Sequence, residues 1–106
     1  MDDLLKSALL KSALVIDEIT GCCPVQASGT VRGFPFYFRS RGDRWRFAIA
    51  TGNTDPVDVM LQHGNGFFRE GRYGPEGEFA AGYMPHEEAR EIIERCSIEF
   101  VVATSI

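Results

Sequence analysis

Four arginines alternate through 36-FYFRSRGDRWRF-47: Arg39, Arg41, Arg44 and Arg46. A guanidinium is a planar fork of donors that suits carboxylates and phosphates. Four of them on one surface therefore make a candidate site for phosphate, nucleic acid or an acidic protein patch. Tyr37 and Tyr73 add rings that could stack on a base, as aromatic-plus-basic sheet faces do in single-strand binders. The plainer alternative is that the heads are solvated, or pair with Asp43, Glu76, Glu78 or a helix carboxylate.

A second charged set has the opposite sign. Glu87, Glu88, Glu91, Glu94 and Glu99 outnumber Arg90 and Arg95 near the C-terminus. On a helix they give an acidic outer face, able to imitate a phosphate backbone and dock on a basic nucleic-acid-binding protein. The plainer alternative is a solvated face with Glu91 and Arg95 as an i,i+4 pair.

Nucleophile and metal chemistry find less support. Cys22, Cys23, Cys96, His63 and His86 could make a mixed zinc site, but none has metal-ligand spacing. Both histidines read as helix-end groups, and nothing in the spacing singles out a Cys–His pair for covalent catalysis. The segment 64-GNG-66 lacks a dinucleotide or phosphate-loop pattern and reads as a turn. No catalytic residue, metal or cofactor is assigned. An enzyme or small-ligand protein using the glycine-rich 71–85 segment with His63 or His86 stays as a third reading. Phe67, Phe68, Tyr73, Phe79, Tyr83 and Met84 in that region are either core or an exposed patch for a partner or second copy.

The arginines need strands to align them, and the register can be worked out. Arg32-Gly33 fits a two-residue turn, so that Val31 faces Phe34, Gly29 faces Phe36 and Ala27 faces Phe38. Gly42-Asp43 fits another, of type II′, so that Ser40 faces Trp45, Phe38 faces Phe47 and Phe36 faces Ile49. The two registers agree. Val25, Ala27, Val31, Phe34, Phe36, Phe38, Trp45, Phe47 and Ile49 fall on one face. Gln26, Ser28, Thr30, Tyr37 and the four arginines fall on the other. A one-residue slip would invert every side chain, so this is strong support for an antiparallel meander. It sets Arg39 opposite Arg46 and Arg41 opposite Arg44.

Residues 2–19 read as one amphipathic helix, with Leu5, Ala8, Leu9, Ser12, Val15, Ile16 and Ile19 on its stripe. Leu4, Leu10 and Leu14 widen that stripe and suggest a second element or a second subunit. Pro56 opens a short helix over 56–63. Strands are expected near 66–73 and 79–83 around a turn at Pro75–Gly77. Pro85 opens a C-terminal helix whose buried stripe is Ala89, Ile92, Ile93, Cys96 and Phe100, and the β-branched 98–106 tail suggests a switch to strand. The expected fold is a single α+β domain over 1–106. Its antiparallel sheet is a three-stranded meander plus one or two further strands. The N- and C-terminal helices pack on one face of it, as a two-layer sandwich.

The chain has 106 residues, 44% hydrophobic and 25% charged, an ordinary globular balance. Its net charge of −4 and pI of 5.1 argue against bulk nucleic-acid binding, which needs a broad basic footprint. Three cysteines, two of them adjacent, are no disulfide framework and point to a reducing cytoplasm; a Cys22–Cys23 vicinal disulfide is strained. Asp2 and Asp3 replace the basic start of a signal peptide, and no membrane span is expected.

The stretches 29-GTVRGFPFYFRSRGDRWRF-47 and 82-GYMPHEEAREII-93, under half the chain, resemble small orphan proteins of proteobacterial accessory and phage-derived DNA. That pool includes anti-CRISPR inhibitors. It has no common motif, so the resemblance carries over no binding residue. It implies a small non-enzymatic protein that blocks a nucleoprotein complex. The expected partner is then a protein or nucleoprotein, with nucleic acid as the alternative through the arginine face, and a homodimer through the N-terminal helix or aromatic loop as a further arrangement.

Overall fold

Both derived registers hold residue for residue. The computed structural model describes residues 3–22, 24–61, 65–73 and 80–104. Five antiparallel strands follow one another in chain order: β1 (Val15–Thr20), β2 (Val25–Val31), β3 (Phe34–Arg41), β4 (Arg44–Ala50) and β5 (Gly66–Arg72). Val31 pairs with Phe34, Ala27 with Phe38, Phe38 with Phe47 and Phe36 with Ile49. At the β2–β3 turn Arg32 and Gly33 both have positive φ, 52° and 81°, as a type I′ turn requires. At the β3–β4 turn Gly42 has φ 66° and Asp43 does not share it, the type II′ pattern.

The inner face of the sheet is the core. Phe36, Phe38, Phe47, Ile49, Val25 and Val31 are fully buried there. Each such side chain contributes about 1.5–3 kcal/mol by leaving water. Helix α3 (His86–Thr104) covers this face with the stripe the spacing predicts: Ala89, Ile92, Ile93, Cys96 and Phe100 are all buried. Phe100 meets Phe34 and Phe67 edge-on, with centroids 6.2 and 5.4 Å away. Met84 fills the space before the helix.

The expected helix over 2–19 is two elements. Helix α1 (Asp3–Ser12) stops where Ala13 takes φ 47°, and Val15–Thr20 becomes the edge strand β1. The β-branched run VIDEIT favours a strand, and β2 offers it an open edge to pair with. Leu14, Ile16 and Ile19 reach the core from β1 or its approach, whereas Leu10 stays 82% exposed. The β2–β3 turn holds the end of α1: the Arg32 N–H donates to the Ser12 carbonyl at 2.7 Å and its Nε to the Lys11 carbonyl at 3.0 Å. Gly29 is needed for this packing, because a Cβ there would run into the Val15 carbonyl and lie 2.7 Å from the Phe36 ring.

Three further expectations change. The 98–106 tail stays helical through Thr104, because Phe100 and Val101 continue the buried stripe and packing overrides β propensity. In place of a strand at 79–83, Ala80–Tyr83 is a 3-10 turn. Ala81 explains it, since its N–H donates to the Gly42 carbonyl at 2.8 Å and its carbonyl accepts from Ser40 Oγ at 2.6 Å. Helix α2 (Pro56–Met60) is shorter than 56–63 and lies on the outer face of the sheet, so a third layer covers part of what was expected to be open. Glu76, Glu78, Phe79, His63, Cys23 and the Pro75–Gly77 turn lie outside the described residues. Among the described residues no helix is long and apolar enough to cross a membrane.

Candidate functional site

The outer face has two halves. At one, the small side chains of Ala48 and Ala50 let α2 settle close, and Val59 and Met60 pack there with Tyr37 and Phe68. At the other, the pleat presents two cross-strand rows. One runs Gln26, Arg39, Arg46, Glu70; the next runs Arg41, Arg44, Arg72. Between the rows and α2 lies a groove of about 520 Å³ lined by Tyr37, Arg39, Arg41, Arg44, Arg46 and Asp43, with Val57, Met60 and Leu61 as its wall. Val57 and Leu61 are 45% and 55% exposed along it.

All four predicted arginines thus meet in one groove, with the opposed pairs Arg39–Arg46 and Arg41–Arg44 in place. Like charges directly opposite cost some tenths of a kcal/mol per pair, about 0.2–1. Internal compensation is partial. Asp43 and Glu70 both approach Arg44, at 4.0 and 3.8 Å, too far for a hydrogen bond. Among the described residues no carboxylate lies within 4.0 Å of Arg39, Arg41 or Arg46. Among the described residues, Arg39 Nε is buried and has no hydrogen-bond partner. A buried donor left unsatisfied typically costs about 1–3 kcal/mol.

The hairpin carrying these arginines is held from behind. The Asp43 carbonyl accepts the Tyr73 N–H at 2.8 Å, and Gly42 accepts that of Ala81. Ser40 is fully buried with its hydroxyl bonded across to Ala81. The hairpin that forms the floor of the groove is therefore held in one conformation. Tyr37 lines the groove beside the four arginines; it is half-buried, packed with the α2 cluster, and its hydroxyl donates to Gln26 Oε1 at 2.6 Å.

The four glutamates of the acidic helix do not act as one set. Glu87 and Glu91 are exposed and Glu94 half-buried, within one face by helical spacing. Glu88 turns to the sheet and accepts the Tyr73 hydroxyl. Arg90 and Arg95 flank the ridge. The i,i+4 partners Glu91 and Arg95 are not within 4.0 Å; instead Glu99 pairs with Arg69 of β5 at 3.2 Å, and Arg69 lies 4.1 Å above the Phe67 ring.

His86 lines a shallow hollow with Asp17, Glu18, Glu87 and Arg90, and its Nε2 is 3.1 Å from the Gly21 carbonyl. Cys22 is exposed. Cys96 is buried in the core, and burial, reinforced by Glu99, pushes its thiol up to about 12. Among the described residues no three His, Cys, Asp or Glu side chains gather as a metal site needs. Sequence reasoning missed the groove wall of α2, together with Glu70 and Arg72. The i, i+3, i+4 spacing of Val57, Met60 and Leu61 was the available signal for the wall. Extending the pleat into 66–72 would have set Glu70 beside Arg46. The chain matches no family model, no curated protein and no solved structure.

Proposed function

We propose that this chain works by binding, and that the groove between the arginine rows and α2 is its working surface, engaging an anionic group of a macromolecular partner. One observation carries the reading. Among the described residues, Arg39, Arg41 and Arg46 have no carboxylate within 4.0 Å, and the buried Arg39 Nε has no hydrogen-bond partner. A sheet that only needed solvation on this face would gain by replacing at least one arginine of each opposed pair. A partner's carboxylates or phosphates would neutralise both pairs at once.

The test is capture from nuclease-treated lysate of the native host. The wild-type chain is expected to retain a partner that elutes with salt, and Arg39→Glu/Arg41→Glu is expected to lose it. Equal capture by both would remove the groove reading. The resemblance to mobile-DNA orphans supports a narrower version, an inhibitor that blocks a nucleoprotein complex. Its mimicry form rests on Glu87, Glu91 and Glu94, and unchanged inhibition by a Glu87→Lys/Glu91→Lys/Glu94→Lys variant would remove that form.

A further inference from the structure

We infer that the occupant of this groove is an acidic protein segment bearing aliphatic or aromatic anchor side chains, rather than a nucleic acid. This rests on the groove reading above and deepens it. Four observations point the same way.

The wall beside the arginines is aliphatic: Val57, Met60 and Leu61, two of them about half exposed. Such a lip rewards an apolar side chain and gives nothing to a ribose or phosphate. A single-stranded nucleic acid instead needs free ring faces to stack on. Tyr37, the ring that lines the groove, is half-buried, packed against the α2 cluster and tied to Gln26. The basic footprint is two rows on adjacent strands in a chain of net charge −4. A polyanion extending past it would meet a net acidic molecule, whereas a short segment with a few carboxylates would not. Finally, about 520 Å³ suits a few side chains of a peptide. The arginines set the register through carboxylates, and the lip takes the apolar residue between them.

The experiment presents the full-length chain with a random-peptide phage library. An oligothymidylate, an oligouridylate and a mixed-sequence DNA duplex are titrated in parallel at low salt. Peptides that survive counter-selection on Arg39→Glu/Arg41→Glu are expected to combine Asp or Glu with Leu, Ile, Met, Phe or Trp. A synthetic peptide from that set is expected to bind Val57→Ser/Leu61→Ser about tenfold more weakly than wild type, as losing about 1.4 kcal/mol of apolar contact predicts. It is expected to bind tighter than any of the three oligonucleotides. Arginine-dependent peptides with no apolar enrichment, or undiminished binding by the serine variant, would overturn the inference. Tighter arginine-dependent binding of an oligonucleotide would also overturn it, while leaving the groove reading in place. Absence of any arginine-dependent ligand in both arms would remove the groove reading as well. Arg41, Val57 and Leu61 are exposed and Arg39 is half-buried, so circular dichroism with a melting curve confirms that each variant is folded before binding is read.

Discussion

The two faces of the same three strands obey opposite rules. On the inner face the buried rings are matched: Phe36 tilts on Phe47, with centroids 5.4 Å apart, and Phe38 stacks with Trp45 at 6.4 Å, whereas Phe34 at the strand end stays 38% exposed. On the outer face the same register sets arginine against arginine and leaves Arg39 Nε without a hydrogen-bond partner among the described residues. One sequence pattern produces both outcomes, because successive residues alternate between them. The inner face is optimised for its own chain. The outer face is locally unfavourable, which is the pattern expected where stability is traded for recognition.

That contrast can be broken from the inner side most forcefully. Phe47→Ala is expected to cost about 3–5 kcal/mol, a large part of a small domain's stability, and a urea midpoint measures it. Gly29→Ala acts at the seam with β1. Its Cβ would strike the Val15 carbonyl, so a loss of about 1–3 kcal/mol is expected, with faster hydrogen exchange of β1 amides than of β3 amides.

Alkaline pH probes the same core chemically. The Cys96 thiol ionises near its ordinary value of 9.0 once unfolded, but only at about 12 when folded. The unfolded state therefore releases this proton first. Stability is full below pH 9 and falls between pH 9 and 12, by on the order of 1 kcal/mol per pH unit from this group. Cys96→Ser should flatten that slope. A thiol reagent at pH 8 should label Cys96 only after denaturant is added.

On the surface, changes should be small. Arg69→Ala removes the pair with Glu99 and the contact over Phe67, and both partners of the pair are nearly half exposed. Less than about 1 kcal/mol is expected, measured by thermal melting at low and high salt.

How much was legible follows from the kind of signal each region carries. The β2–β4 meander could be read because two tight turns fix the register and the hydrophobic alternation checks it independently. The α3 stripe could be read as far as Phe100 for the same reason. Val15, Ile16 and Ile19 misled because a three-to-four spacing over so few residues suits a helix as well as a strand edge. What decided the matter was the open edge of β2, a tertiary fact. Ala80–Tyr83 misled because its backbone bonds go to the β3–β4 hairpin, which no local pattern announces. The arginine face was legible as charge and as opposed pairs. Its concavity was not, because that depends on where α2 lands, and α2 lands where Ala48 and Ala50 leave room.

The central claim is that Arg39, Arg41 and Arg46 are held for a partner and not by carboxylates of the described residues. The direct measurement is the urea-denaturation midpoint of Arg39→Glu/Arg41→Glu against wild type. Each substitution turns a like-charged cross-strand pair into an opposite-charged one, and Arg39→Glu also removes the unpartnered Nε. The account predicts a variant as stable as wild type or more stable by some tenths of a kcal/mol, about 0.2–1 per pair. A loss of more than about 1 kcal/mol would contradict it, because it would mean that the arginines are already compensated within the fold.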